Sequence, residues 1–356
     1  MAKTPEIDLR DDYLQNYLIN GNFDFWQRNT TFTSLNGYGP DRFRMGYDTT
    51  AGRVTVSRET SILPSNGLSL YSCKLQTSVA DASVDAADLA SFTQIIEGHI
   101  LRPLKDKHFT LSFWVYSNVI GTYPVSFHNQ GFGRSYVTTF SITQSNVWQK
   151  VTISLQHNST GSWLYNEGIG MIVRLNLMAG STQQTVSTNQ WINGNFHSTS
   201  GCINFLSSTS NIMYVSQFML NEGSDALPYK YHGKSFEGEL QSCQRYFYKT
   251  YRIEEPLGTL TQFGAVAFVP DLNAALRTQL HGPLNFPVTM RAAPVFTIYD
   301  HFNGAANTTI RGFQDTGVSR TFSTVQSANV NMISSINTTT DNDRAMVFHV
   351  AADAEL

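Results

Sequence analysis

Three loop-like stretches carry aromatic side chains, which loops expose for a functional reason more often than strands do. They are residues 130–136, 159–168 and 189–195. A flat ring can stack on the apolar face of a pyranose, while nearby Asn and Glu side chains hydrogen-bond to its hydroxyls. Packing against another subunit is the competing role, since Trp and Tyr are also enriched at protein interfaces. The candidate sugar-facing residues are Phe132, Tyr136, Trp163, Tyr165 and Trp191.

Few patterns in the sequence suit catalysis. The nine histidines include no His-x-x-x-His or His-Glu-x-x-His pair, the spacings that place two imidazoles on one metal ion. Neither a Gly-x-Ser-x-Gly elbow nor a glycine-rich phosphate loop is present. The carboxylate pairs Asp81/Asp85 and Glu237/Glu239 lie in helix-prone or linker sequence, where solvated charge is the commoner role. We therefore expect no enzymatic activity, with a polysaccharide-degrading enzyme as a minor alternative.

The composition excludes several partners. Charged residues make up 14% of the chain against about 25% in an average soluble protein, and the net charge is -3. Such a neutral surface has no basic stripe for nucleic acid. Cys73, Cys202 and Cys243 show no metal or disulfide spacing and are expected to be reduced. Without an apolar leader or a run of about 18 apolar residues, we expect synthesis in a cytoplasm and no membrane insertion.

Short segments of period-2 alternation dominate the first two thirds of the chain. They are rich in Val, Ile, Thr, Phe and Tyr and are separated by Gly, Asn, Ser and Pro, as half-buried strands are. About eight to ten strands before residue 225 suit a two-sheet jelly roll. The clearest predicted strands are residues 53–57, 68–72, 109–116, 148–155, 170–177 and 211–220.

Helical spacing is confined to residues 80–89 and 236–251, and the second stretch follows a turn-rich break at 223–228. Strand patterns then return, with a length that suits two domains. The fold class is therefore all-β, a jelly-roll sandwich followed by a short helix and a smaller C-terminal β-sandwich. The predicted organisation is an N-terminal arm at 1–12, the jelly roll at 13–225, a linker and helix at 226–252, and the C-terminal β domain at 253–356.

Several segments, taken in order, resemble a widespread group of phage tail-fibre and virion proteins that carry a carbohydrate-binding jelly roll. Each segment alone is a weak signal, whereas the ordered set, which covers about residues 17–300, is specific. The segments are YLINGNFDFWQR at 17–28, GPDRF at 39–43, FTQIIE at 92–97, LSFWV at 111–115, QFMLNEG at 217–223, ALPY at 226–229 and ELQSCQRYFY at 239–248.

The resemblance implies a jelly roll similar to bacterial family 4/9/22 carbohydrate-binding modules, with the C-terminal β domain at the exposed end of a fibre or spike. It also implies a homotrimer on the virion, with other virion proteins and a bacterial surface polysaccharide as partners. A purely structural role, as a capsid decoration, head fibre or tail adaptor, is the alternative.

In such modules a structural calcium ion often ties the first strand to the last through an acidic residue in each. Asp24 matches the first acidic position, whereas Ser216 or Gln217 stands at the second. Asn20 begins an Asn-Gly-Asn turn whose oxygens could line a cation site, although a turn alone explains this sequence. The resemblance therefore predicts a calcium ion at Asn20 and Asp24.

Arg245 lies in an aromatic-rich stretch at the expected domain junction. A guanidinium group can bind a carboxylate through two parallel hydrogen bonds, which suits a buried joint between domains. We therefore predict that Arg245 pairs with a carboxylate there.

Overall fold

The computed structural model describes residues 15–270, 279–311, 319–339 and 345–356, so the predicted arm at 1–12 lies outside the described residues. Regular structure in the described ranges is almost entirely β, as predicted, and it forms two units with separate hydrophobic cores. No helix in these ranges is long and apolar enough to cross a bilayer.

The first unit is a sandwich of two antiparallel sheets, between which the chain passes repeatedly in the manner of a jelly roll. The predicted fold class is confirmed. The first sheet runs in the order β1 (Thr31–Phe32), β4 (Arg53–Glu59), β5 (Ser72–Val79), β13 (Ile212–Glu222), β7 (His108–Ser117) and β10 (Gln149–Gln156). The second runs in the order β12 (Trp191–Asn193), β9 (Arg134–Ile142), β8 (Gly121–Asn129), β11 (Ile169–Ala179), β6 (Leu89–Glu97), β3 (Phe43–Asp48) and β2 (Gly37–Tyr38).

The two sheets differ in how their outer faces meet solvent. Strand β10 alternates between buried and exposed residues along its length, as its sequence predicts. Every residue of β6 is buried, because the outer face of the second sheet is partly covered. The predicted strand at 68–72 is wrong except for Ser72, since Leu68 and Leu70 are more than half exposed and the Leu68 carbonyl accepts from Asn22.

Stacked phenylalanines fill the space between the two sheets. Phe113 and Phe218 stack with ring centroids 4.6 Å apart, and Phe43 and Phe92 stack at 5.2 Å. All four are buried, and Phe23 from the N-terminal segment packs against Phe43 at 4.8 Å. Aromatic pairs at these separations add stabilisation beyond the area that they bury.

The described ranges contain two α-helices, α1 (Gly98–Leu101) and α2 (Phe236–Gln244). The side chain of Ser235 caps α2 by accepting from the backbone N–H of Gly238 at 3.0 Å. The helix predicted at 236–251 is therefore real but ends at residue 244. The helix predicted at 80–89 is wrong, because Asp81 and Asp88 accept hydrogen bonds that hold this stretch as a loop.

The second unit is an antiparallel sheet that closes on itself, because β18 pairs with both β19 and β21. Its core contains Phe268, Ile336 and Phe348. The proline-bounded stretch at 287–294 forms no strand. The strands of the closed path are β21 (Met346–Asp353), β15 (Val266–Pro270), β16 (Gln279–Asn285), β20 (Met332–Thr338), β19 (Ser319–Ala328) and β18 (Thr309–Arg311), while β14 (Phe247–Lys249) and β17 (Val295–Asp300) pair with β21.

Buried charges join the two units, and the predicted role of Arg245 is confirmed. Its Nε and Nη2 donate to the two carboxylate oxygens of Glu97 at 3.1 and 2.7 Å. The hydroxyl of Tyr246 donates to the same carboxylate at 2.6 Å. Arg42 lies over the Tyr246 ring at 3.5 Å and forms an ion pair with Glu355 near the end of the chain. The jelly roll is thus connected to the second unit through charged and aromatic contacts.

Candidate functional site

One side of the jelly roll brings together an edge strand from each sheet. Strand β10 ends at Gln156 in the first sheet, and β12 forms the edge of the second sheet. The indole N–H of Trp191 donates to the Gln156 carbonyl at 2.7 Å and so links these edges. Trp191 also lies opposite Tyr136 in the pairing of β12 with β9, with ring centroids 5.5 Å apart.

A loop after β10 adds two more aromatic side chains to this edge. Trp163 meets Trp191 edge to face at 5.3 Å and packs against His157 at 4.5 Å. Tyr165 lies 6.4 Å from the same imidazole. The indole N–H of Trp163 donates to the Thr160 carbonyl at 3.1 Å, which fixes the ring within its own loop.

Tyr136, His157 and Trp191 line an open cleft of about 470 Å³, which we call the aromatic cleft, and Trp163 and Tyr165 pack against these lining residues. Its volume falls in the range of small-molecule sites. Asn189 Oδ1 accepts from the Thr138 hydroxyl at 2.7 Å, which leaves its amide nitrogen to donate to a ligand. The lining residues are Asp106, Tyr136, Gln156, His157, Asn158, Asn189, Gln190 and Trp191.

The electrostatics of the aromatic cleft are mild. Burial lowers the pKa of His157, so its imidazole is neutral at pH 7. Its Nδ1 accepts from the backbone N–H of Asp106 at 3.2 Å, which assigns the proton to Nε2. A hydrogen bond from Ser159 lowers the pKa of the exposed Asp106 carboxyl, which is therefore ionised. The cleft offers aromatic faces, amide groups and one carboxylate.

Four of the five aromatic residues predicted from the sequence lie together at this edge: two line the aromatic cleft, and two pack against its lining residues. Trp163, Tyr165 and Trp191 are half-buried, whereas Tyr136 is buried beneath Trp191. The role of His157 was not predicted, because its place in the cleft depends on two sheet edges that meet only in the folded chain.

Phe132 lies elsewhere, beside a groove on the outer face of the second sheet. This sheet groove has a volume of about 360 Å³ and was not predicted. Arg174 lies over the Phe132 ring at 4.9 Å. The groove combines charged, hydroxyl and apolar side chains from β3, β6 and β11, including Arg44, Tyr47, Asp48, Ser91, Thr93, Ile172 and Arg174.

The predicted calcium site does not fit the structure. Asn20 Oδ1 accepts from the backbone N–H of Phe25 at 3.0 Å, and the Asn20 amide nitrogen donates to two carbonyls. The Asn20 side chain therefore stabilises a turn. Asp24 is buried with one unpartnered oxygen, and burial raises its pKa to about 6. The described residues bring no three metal-binding His, Cys, Asp or Glu side chains together. Calcium prefers six to eight oxygen ligands, which this pair does not supply.

The chain matches no family model and no curated protein sequence. Among solved structures, it is similar to the enzymatically active domain of tailspike protein 4 of bacteriophage CBA120, at 14% identity and a TM-score of 0.33 over 58% of this chain. That similarity spans 21% of the tailspike chain. It is also similar to the carbohydrate-binding module CBM4, at 12% identity and a TM-score of 0.31, over 57% of this chain and 98% of that one.

A further similar structure is the family 11 carbohydrate-binding module from Clostridium thermocellum in complex with a β-1,3-1,4-mixed-linked tetrasaccharide. It is 9% identical with a TM-score of 0.29, over 55% of this chain and 97% of the module. Likeness at these scores establishes no function for this chain. The jelly-roll assignment rests on the sheet order described above.

Proposed function

We propose that this chain is a carbohydrate-binding structural protein of a bacteriophage particle, and that it binds a bacterial surface glycan at the aromatic cleft. One observation carries the proposal. Trp191 and Tyr136 line an open cleft whose remaining walls are mainly amide side chains, and Trp163 packs against Trp191. Aromatic faces beside amide groups suit a ligand that has apolar ring faces and many hydroxyls.

The tryptophans of the cleft are held rigidly before any ligand arrives. Both indole N–H groups are already bonded to backbone carbonyls, at 2.7 Å for Trp191 and 3.1 Å for Trp163. Ring faces and edges are therefore the parts of these side chains that a ligand can contact. Since the rings are already ordered, less conformational entropy is lost on binding.

The proposed interaction involves no covalent chemistry. Glycosidases use two carboxylates about 5–10 Å apart, and Asp106 is the single carboxylate among the residues that line the aromatic cleft. The pairs considered from the sequence have other contacts: Glu239 is buried and accepts from backbone N–H groups, and Asp81 accepts from Thr50.

The virion location rests on the ordered segments that resemble phage tail-fibre and virion proteins. We include in the proposal a homotrimer that contacts other virion proteins. Exposed apolar side chains on the second unit support such contacts, since Leu260, Phe263 and Val295 are each more than 60% exposed. In the purely structural alternative, the aromatic cleft instead holds a neighbouring subunit.

The test compares two tryptophan variants of the full chain. Trp191→Ala removes a wall of the cleft, whereas Trp148→Ala removes a half-buried tryptophan beside the opposite end of β10, where it packs on Tyr116. We expect Trp191→Ala to weaken binding to host cells and to an array of bacterial polysaccharides about tenfold or more, since stacking contributes on the order of 1–3 kcal/mol. Trp148→Ala should bind like the wild type.

Two results would contradict the proposal. One is the absence of wild-type binding to cells and polysaccharides, and the other is equal binding by both variants. If Trp191→Ala changes the oligomeric state instead of glycan binding, the structural alternative is correct. Release of soluble sugar from the polysaccharide would identify an enzyme.

A further inference from the structure

A cluster of buried polar side chains lies behind Phe132 on the outer face of the second sheet. His128 and Asn176 are 0% exposed and His197 is 1% exposed. The two imidazole rings are 4.5 Å apart, and the Phe132 ring packs against His128 at 5.5 Å. Arg174 connects this polar cluster to the sheet groove, because it lines the groove and its Nη1 lies 3.4 Å from His197 Nδ1.

One hydrogen bond of the cluster assigns a proton. Arginine can only donate, so His197 Nδ1 accepts from Arg174 and the His197 proton is on Nε2. The Ser126 hydroxyl oxygen accepts from Asn176 at 2.9 Å and lies 2.9 Å from His128 Nε2, so Ser126 joins these two side chains.

Two N–H groups of the cluster are then left without an acceptor. His197 Nε2 and Arg174 Nε are buried and have no hydrogen-bond partner. His128 Nδ1 and Asn176 Oδ1 are also unpartnered beside them. A buried polar group without a partner costs about 1–3 kcal/mol, so two donors next to a guanidinium charge favour a ligand that supplies acceptors.

The charge balance indicates which acceptor fits. Arg174 forms no ion pair with any carboxylate of the described residues. Asp48 attracts its charge and Arg44 opposes it from β3, and burial lowers the pKa of Arg174 to about 10, at which it is still protonated at pH 7. Burial keeps both imidazoles neutral by lowering the pKa of His197 to about 3 and that of His128 in the same direction. The cluster therefore has one positive charge that no carboxylate of the described residues neutralises through an ion pair.

Phe132 separates the donors from the sheet groove and stands on a loop that has room to move. Gly131 and Phe132 both have positive φ angles, of 76° and 56°. A Cβ placed on Gly131 or Gly133 would meet no atom within 4 Å, so the loop tip faces open space. A swing of Phe132 would open the cluster to a ligand in the groove.

We propose that the sheet groove and the polar cluster form a second binding site, for the carboxylate of an acidic sugar. Arg174 and His197 donate to the carboxylate, His128 lies beside it, and Phe132 covers it. The Ser91 and Thr93 hydroxyls and the Tyr47 ring in the groove suit the sugar ring. A groove of about 360 Å³ favours a sugar residue over a folded partner. The site uses different residues from the aromatic cleft and does not rest on its function.

The first test uses D-glucuronate and its methyl ester, which share a ring and differ in charge. Histidine ring signals of the full-length wild type are followed by NMR, with assignment through His128→Gln and His197→Gln. We expect D-glucuronate, at concentrations on the order of 10 mM, to shift the His128 and His197 signals and to leave the exposed His99 signal unchanged. The methyl ester should shift none of them.

The second test uses Arg174→Gln, with Arg58→Gln as the control on the other sheet. Arg174→Gln should weaken D-glucuronate binding about tenfold or more, because it removes a charge-assisted bond. Arg58→Gln should bind like the wild type. Phe132→Ala removes the side chain that separates the cluster from the groove, so D-glucuronate should shift the His128 and His197 signals in this variant as well.

Several outcomes would overturn the proposal. If the ester shifts the imidazole signals as strongly as the acid, charge is not recognised. If D-glucuronate produces no shift in the wild type or in Phe132→Ala, the unpartnered groups hold water instead. Binding of a Glu-containing peptide without binding of D-glucuronate would assign the site to a protein partner. Trp191→Ala leaves the residues of this site intact. D-glucuronate binding that is unchanged in Trp191→Ala is therefore distinguished from binding at the aromatic cleft.

Discussion

Replacing Arg245 with alanine should destabilise the joint between the two β units. Glu97 is 1% exposed, and its carboxylate accepts two hydrogen bonds from Arg245 and one from Tyr246. Arg245→Ala leaves this carboxylate with the tyrosine alone. Breaking a buried ion pair costs about 3–5 kcal/mol. Because the Arg245 side chain is 35% exposed, water can partly replace it, and we expect a loss of about 2 kcal/mol.

Calorimetry and urea unfolding would measure this loss, with Arg58→Ala as a control. Arg58 pairs with Glu254, whose side chain is 60% exposed, so its removal should cost less than about 1 kcal/mol. We expect Arg245→Ala also to separate the unfolding of the two units, because Glu97 belongs to the jelly roll and Arg245 directly precedes the first strands of the second unit. Equal stability of the two variants, with one unchanged transition, would refute the reasoning.

Three further predictions concern stability and reactivity. Burial raises the pKa of Asp24 to about 6, so the free energy of unfolding of the wild type should fall as the pH rises from about 4 through 6. Urea unfolding at a series of pH values should show a fall on the order of 2 kcal/mol that is absent in Asp24→Asn. Gly180→Ala should lower the melting temperature by several degrees because its Cβ would overlap two backbone carbonyls, whereas Gly133→Ala meets no atom within 4 Å and should be neutral. A thiol reagent should label the partly exposed Cys202 and spare the buried Cys73 until the chain unfolds. Mass spectrometry of the labelled peptides checks this, and labelling of Cys73 before Cys202 would contradict the burial of Cys73.

The sequence predicted the fold class because its signals are local. Strand β10 alternates along its whole length, and its exposed and buried residues can be assigned without the fold. The helix predicted at 80–89 failed because Asp81 and Asp88 bind loop atoms, which composition alone does not reveal. Closure of the second unit depends on the contact of β18 with β21, which joins residues far apart in the chain.

Sites were harder to predict than strands because they form between distant segments. Trp163 and Trp191 could be named as candidates from the sequence, but the contact between their rings forms only because two sheet edges lie side by side in the fold. His128 lies on a face that alternation assigns to solvent, and His197 belongs to a segment outside the sheet that packs over it. Asn20 was a candidate calcium ligand in the sequence, whereas in the fold its Oδ1 accepts from a backbone N–H of its own turn.

Hydrogen–deuterium exchange of the full chain, with and without the purified surface polysaccharide of its host, tests glycan binding at the aromatic cleft most directly. We predict that the polysaccharide slows exchange in residues 156–158 and 189–191, which line the cleft, and leaves residues 145–150 at the opposite end of β10 unchanged. Unchanged exchange in both cleft segments, or protection confined to the second unit, would contradict the proposal.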